Sequence, residues 1–224
     1  MDWLSSNVSR PNLNMNVVEL MSNINLERIN LSLEKNKWFH QENFLPDELC
    51  DKLSQISMEK EKRNLFSDGK IGRGIKTQKD HNIRNGSIRW INFDEEDTSL
   101  LYLNSIITEL MNSISHYFRI PLKRFESQFA LYNQGGFYKP HLDQHKLARH
   151  RQMTCCIYLN NCKKGGEFVL FKSGSKSQVE KTITPKKGSI ALFFSADIYH
   201  EVKLVVEPRL SITTWFRDDE IFLL

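Results

Sequence analysis

His141-Leu142-Asp143 sets an imidazole and a carboxylate two residues apart. In an extended segment residues i and i+2 project to the same side, so both groups can address one point. Two histidines and one carboxylate on one face of an octahedron leave three positions open, which is the ligand set of non-haem Fe(II) oxygenases. Those openings suit a chelating co-substrate and dioxygen. HxD alone is weakly specific, because it recurs by chance and a lone histidine is as often structural as a ligand.

The segment HEVKLVVEPRLSITTWF, His200 to Phe216, supplies the missing partners. His200 opens one strand, a turn near Glu207-Pro208 reverses the chain, and Arg209 begins the next. There Arg209, Ser211, Thr213 and Trp215 share one face, while Leu210, Ile212, Thr214 and Phe216 share the other. An arginine facing a buried metal site needs an anion, and its planar fork fits a carboxylate bidentately. The distal carboxylate of 2-oxoglutarate fills that need, with its 2-oxo acid end chelating the iron. His145 could extend the set towards a zinc-like cluster if its strand continued. The run QHKLARHR is polar and loop-like, however, and predicts a solvent-facing His145. His40, His81, His116 and His150 have no partner that the sequence names.

Two regimes of periodicity must position these residues. Apolar spacings of three and four predict helices over Leu26–Trp38, from Pro46 to about Arg63, and over Asp97–Phe118. Pro46 followed by two acids is a favourable helix start. Between the first two helices, Phe39 to Leu45 reads as an edge strand. Residues 67–87, rich in Gly, Lys, Ser and Asn, read as a mobile loop and a candidate lid over the site. Ser87–Phe93 reads as a short strand. After Pro121 the period becomes two, with strands expected at 125–132, 152–159, 167–171, 181–184, 189–194, 200–206 and 210–216. Gly or Pro marks most of the gaps. The expected class is α+β: a double-stranded β-helix (jelly-roll) core with N-terminal helices packed on one sheet. Residues 1–24 are set apart as an N-terminal arm, and 25–224 form the oxygenase domain.

Composition narrows the remaining classes. The chain has 224 residues, of which 40% are hydrophobic and 11% aromatic, enough for one sizeable core. A net charge of +4, with acids and bases interleaved, gives no basic stripe or module for nucleic acid. The start carries no signal-peptide pattern, and no run approaches the roughly 18–20 apolar residues needed to cross a bilayer. A cytoplasmic protein without a membrane partner is the expectation. Cys50, Cys155, Cys156 and Cys162 lack paired spacing and read as reduced structural thiols, although Cys156 and Cys162 could meet across a hairpin.

The pattern HxD, then H-x8-R, then R-x-S-I-T-x-W resembles the prolyl hydroxylase branch of the 2-oxoglutarate oxygenases, in particular its oxygen-sensing members. The likeness extends from Trp38 to Phe216. It takes in IRNGSIRWI (83–91), TCCIYLN (154–160) and GGEFVLF (165–171), which match the strand after the substrate-covering loop and two barrel strands. The resemblance implies that His141, Asp143 and His200 bind iron and are catalytic. It implies that Arg209 and Tyr158 hold the distal carboxylate with Thr213 nearby, and that Phe168 packs against the co-substrate. Tyr132 and Trp215 would line the pocket, and Arg151 and Trp215 would lie near the substrate. The turn after Tyr132 departs from the family pattern by about one residue.

The implied reaction is hydroxylation of a prolyl residue in an exposed loop of a protein, with 2-oxoglutarate decarboxylated to succinate. Fe(II), 2-oxoglutarate and dioxygen are the implied cofactors, and ascorbate is a further candidate. Relatives act on hypoxia-responsive transcription factors, a ubiquitin-ligase subunit or elongation factor Tu. The absence of attached regulatory domains favours a bacterial member and elongation factor Tu as the substrate. Hydroxylation of a free amino acid or other small molecule is the alternative enzymatic reading. A non-catalytic cupin-like metal-binding module is a third, against which Arg209 argues.

Overall fold

The computed structural model describes residues 24–69, 80–94, 97–145 and 148–220. Three helices, α1 (Leu26–Asn36), α2 (Asp47–Lys62) and α3 (Thr98–Phe118), precede or interrupt twelve strands. Each helix has a local cause for where it begins or ends. Asn25 caps α1 by accepting from Arg28 N at 2.8 Å, and Asp97 caps α3 by accepting from Ser99 N at 2.8 Å and Leu100 N at 3.2 Å. Both helices end on a residue in the left-handed region, Lys37 and Arg119. Leu100, Leu103, Ile107, Leu110 and Ile114 of α3 are buried almost completely and form the stripe that their spacing predicts.

The strands are β1 (Trp38–Gln41), β2 (Ser67–Asp68), β3 (Arg84–Asn85), β4 (Ser87–Trp90), β5 (Arg124–Tyr132) and β6 (Phe137–His141). They continue with β7 (Arg151–Tyr158), β8 (Phe168–Phe171), β9 (Val179–Ile183), β10 (Ile190–Phe194), β11 (His200–Val202) and β12 (Arg209–Arg217). A seven-stranded sheet runs β1-β10-β7-β12-β5-β4-β2, and a five-stranded sheet runs β3-β6-β11-β8-β9. Every ladder is antiparallel. The two sheets face each other as a double-stranded β-helix.

Alternation along each strand divides the interior in two. Leu210, Ile212 and Phe216 of β12, with Met153, Cys155 and Ile157 of β7, join the helices in one core. Ala130, Tyr132, Cys156, Tyr158, Phe168 and Phe193 form a second core between the sheets. The helices therefore cover the outer face of the larger sheet, and the cavity between the sheets is left for chemistry.

The structure corrects several expected boundaries. The edge strand ends at Gln41, and β11 ends at Val202, where its register with β6 slips. Strand β6 falls where only a glycine-rich turn and an extended step were expected. Residues 67–87 are not a loop throughout, since their ends are β2 and β3 with the start of β4. The expected lid falls largely on 70–79, which lie outside the described residues, as does the arm up to residue 23.

Candidate metal and carboxylate site

The cavity between the sheets has a volume of about 510 Å3 and is lined at one end by residues of β2 and β3. His141, the last residue of β6, is the direct cross-strand partner of His200, the first of β11. Direct partners in an antiparallel ladder share a face, and here the rings lie 4.1 Å apart. Asp143 is not on the strand with His141, as an extended His-x-Asp would have it, but in the bend that follows. Its position is set by Thr154 of β7, whose Oγ1 donates to Asp143 Oδ2 at 2.8 Å and lies 2.7 Å from Ser195 Oγ. From there Oδ1 is 3.6 Å from His141 Nε2, and Oδ2 is 3.4 Å from His200 Nε2. The donor atoms of all three residues lie within 4.8 Å of one another.

Both imidazoles are oriented through their other nitrogen. His141 Nδ1 donates to the Lys139 carbonyl at 2.8 Å, and His200 Nδ1 donates to that of Ile198 at 3.2 Å. With the proton on Nδ1, each Nε2 carries a lone pair towards the shared point. Burial, with the neighbouring His200, lowers the His141 pKa to about 4 against the opposing pull of Asp143. Burial resists ionisation of Asp143, but the two histidines outweigh it and hold the carboxyl well below its usual range. A neutral His141 beside an ionised Asp143 is the state a divalent metal requires of such ligands. The residues fit Fe(II).

Deeper in the cavity sits Arg209, only 2% exposed. Its Nη1 donates to Ser211 Oγ at 3.3 Å, its Nε has no acceptor, and it forms no ion pair among the described residues. Tyr158, Tyr132 and Phe168 enclose the guanidinium, with ring centroids 5.0, 5.4 and 5.9 Å away. Tyr158 Oη is buried and equally without a partner. Burial pushes that phenol up, so it stays protonated and able to donate. A buried cation left alone costs several kcal/mol. An unpaired guanidinium beside an unpaired hydroxyl is a receptor shaped for a carboxylate. Thr213 Oγ1, 3.8 Å from Cys156 Sγ, completes that wall.

Arg151 and Trp215 lie towards the mouth. The Arg151 guanidinium rests 3.7 Å from the Trp215 ring centroid, and its Nε and Nη2 donate to Glu126 Oε1 at 2.8 and 2.6 Å. Trp90 adds a second indole 5.9 Å from the first. The sequence reading missed Trp90, Tyr138, Arg84, Thr154 and Glu126. Thr154 was within reach, because it shares parity with Tyr158 along β7. Tyr138, stacked on His141 with centroids 3.5 Å apart, depends on the β6 register and had no local signal. His145 is exposed as expected, yet it lines the mouth, outside the three-residue cluster. His150, expected without a partner, bonds Asp218 at 2.8 Å. All four cysteines are free and buried.

Two imidazoles and a carboxylate near the mouth, with an unpaired arginine behind them inside one double-stranded β-helix, are the arrangement that an Fe(II) oxygenase using a 2-oxo acid requires. Residues 127–217 match the family model of the 2OG-Fe(II) oxygenase superfamily. Its relatives include a probable prolyl 4-hydroxylase 7 from Arabidopsis thaliana, 26% identical over 205 residues, covering 79% of this chain and 61% of that protein. The chain spans about three fifths of the length of the Arabidopsis relatives it matches. Among solved structures, a Pseudomonas putida prolyl-4-hydroxylase is 27% identical, with a TM-score of 0.75 over 87% of this chain and 100% of that one. A Trichoplax adhaerens prolyl hydroxylase, solved with a hypoxia-inducible-factor peptide, shares the fold. It is 24% identical, with a TM-score of 0.78 over 92% of this chain and 94% of that one. No helix among the described residues is long and apolar enough to cross a membrane.

Proposed function

We propose that the chain is an Fe(II)- and 2-oxoglutarate-dependent dioxygenase that hydroxylates a prolyl residue of a protein. The observation that carries this is the buried, unpaired Arg209 behind the His141–Asp143–His200 cluster. A simple metal-binding module has no use for a cation sealed in its core without a counter-ion.

His141, His200 and Asp143 would hold the iron, and Arg209 with Tyr158 would take the distal carboxylate of 2-oxoglutarate beside Thr213. Bound together, iron, 2-oxoglutarate and dioxygen supply the oxidising chemistry, which divides one O2 between succinate formation, with loss of CO2, and a substrate C–H bond. The chain's own residues supply position and dryness. Lys139 and Ile198 carbonyls fix the imidazoles, Thr154 fixes the carboxylate, and Phe168 and Tyr132 exclude water from the receptor. Arg151 and Trp215 would form the wall against which the substrate lies. Ascorbate is a candidate auxiliary of the reaction.

Proline as the target is supported by the similarity to the Pseudomonas and Arabidopsis prolyl 4-hydroxylases. Elongation factor Tu is the first protein to test. The assay is aerobic succinate formation from 2-oxoglutarate with Fe(II), with and without cell lysate or purified elongation factor Tu, followed by mass spectrometry of the proteins. A proline gaining one oxygen atom is the expected result. No succinate under any condition overturns the oxygenase reading. Turnover of small amino acids, with no protein oxidised, replaces the protein substrate by a metabolite.

A further inference from the structure

Three arginines line the cavity, and among the described residues only Arg151 has a carboxylate partner. Arg151 is held by Glu126. Arg209 is assigned above to the co-substrate. That leaves Arg84, on β3 at the mouth. Its Nε is buried with no acceptor, and it forms no ion pair among the described residues.

Arg84 is nevertheless held in place. Its guanidinium lies 4.8 Å from the Tyr138 ring, and that ring stacks on His141 at 3.5 Å. On the opposite strand end the backbone of Gly69 leaves room for it, since a Cβ there would fall 2.4 Å from Arg84 Nε. Burial opposes its charge, but Tyr132, Tyr138 and the Asp143 carboxylate together favour the charged form. A cation fixed this way, two contacts from a metal ligand, is a reader without a letter.

Charge in the surrounding sequence points the same way. Residues 67–89 hold six Lys or Arg against two Asp, an excess of four that equals the net charge of the whole chain, +4. The stretch 70–79 contains no acid.

Resting on the dioxygenase reading, we infer that Arg84 is a specificity-determining residue that pairs with a carboxylate of the substrate polypeptide, so that the hydroxylated residue lies beside an Asp or Glu. At about 3.3 Å per extended residue, the stack Arg84–Tyr138–His141 places that acid within about three positions of the target. Like charges facing each other across the same contact would disfavour basic flanks.

The test uses the full chain with Fe(II) and 2-oxoglutarate, and a synthetic peptide library with one central proline and Glu, Gln or Lys at flanking positions. Oxygen incorporation is read by mass spectrometry. The expected order is Glu, then Gln, then Lys, with about a tenfold spread in KM, little change in kcat, and most of the spread lost in 0.5 M salt. Arg84→Met should erase the order, and Arg84→Glu should reverse it in favour of Lys, provided both variants keep the native melting profile. Reversal separates recognition from a merely structural role, because a loosened rim would weaken all peptides alike. Oxidised peptides with no charge preference, or a preference that survives Arg84→Glu, would overturn this inference and leave the dioxygenase standing. If 2-oxoglutarate turns over with small amino acids while no peptide gains oxygen, the protein-substrate reading fails and this inference with it.

Discussion

At the residue scale the site depends on protonation and orientation set by neighbours. Because burial, with the neighbouring His200, lowers His141 to about 4, the His141 ring should show no protonation in the metal-free protein between pH 8 and 6 when followed by NMR. A His141 midpoint near 6.5 would contradict that environment. Substituting His200→Ala should abolish metal binding, whereas His145→Ala should retain it; loss in the second variant would mean that the ligand set is wrong. Thr154→Val, which removes the donor to Asp143 at nearly constant volume, should weaken metal binding by about 10- to 100-fold. Arg209→Lys keeps a charge but loses the planar fork, so the KM for 2-oxoglutarate should rise by an order of magnitude or more, at about 1.4 kcal/mol per factor of ten.

Elements carry the site by parity and pairing. In β12, Arg209, Thr213 and Trp215 face the cavity because Leu210, Ile212 and Phe216 are needed against the helices. A one-residue slip would exchange the two sets, so burial of the apolar face fixes where Arg209 points. Helix α3 supports that arrangement from outside. Leu110→Ala, at a site with no exposure, should cost about 2–5 kcal/mol in chemical denaturation, as expected for a large-to-small change in a packed core. At Gly86 the reason is closer to the chemistry: a Cβ would fall 2.5 Å from a Tyr132 ring carbon. Gly86→Ala should therefore displace Tyr132 from the receptor and raise the KM for 2-oxoglutarate more than it lowers the melting temperature.

Over the whole molecule, two sheets and one helical layer separate stability from function. The helix-facing core is a continuous apolar cluster, whereas the cavity side holds Arg209 Nε, Tyr158 Oη, Trp215 Nε1 and Arg84 Nε, four of the buried polar atoms without a hydrogen-bond partner. The buried thiols fit this division. Burial pushes Cys50 and Cys156 up to about 12, and all four cysteines are inaccessible. A thiol reagent at pH 8 should consequently label none of them within minutes in the native protein and all four after denaturation. Rapid native labelling would mean that the sheets open.

What was legible in the sequence follows from period. A stripe at three and four residues specifies α3 wherever it packs, and alternation specifies β5, β7 and β12, because each records which side chains must be buried. Arg209 was legible for the same reason, as a charge on the wrong side of an otherwise buried strand. The strands β2, β3 and β6 were not legible: two residues carry no period, and Phe137–His141 mixes a lysine and a proline into its pleat. Their existence depends on partners far along the chain. The same holds for the site. Sequence alone named His141, Asp143 and His200 as ligand types and Arg209 as an anion seeker, because those chemistries belong to side chains. Only the tertiary structure made His141 and His200 cross-strand partners, bent the chain so that Thr154 holds Asp143, and set Arg84 at the mouth with no ion pair among the described residues. Register between distant strands is a long-range property, set by burial over the whole sheet, and no local pattern encodes it.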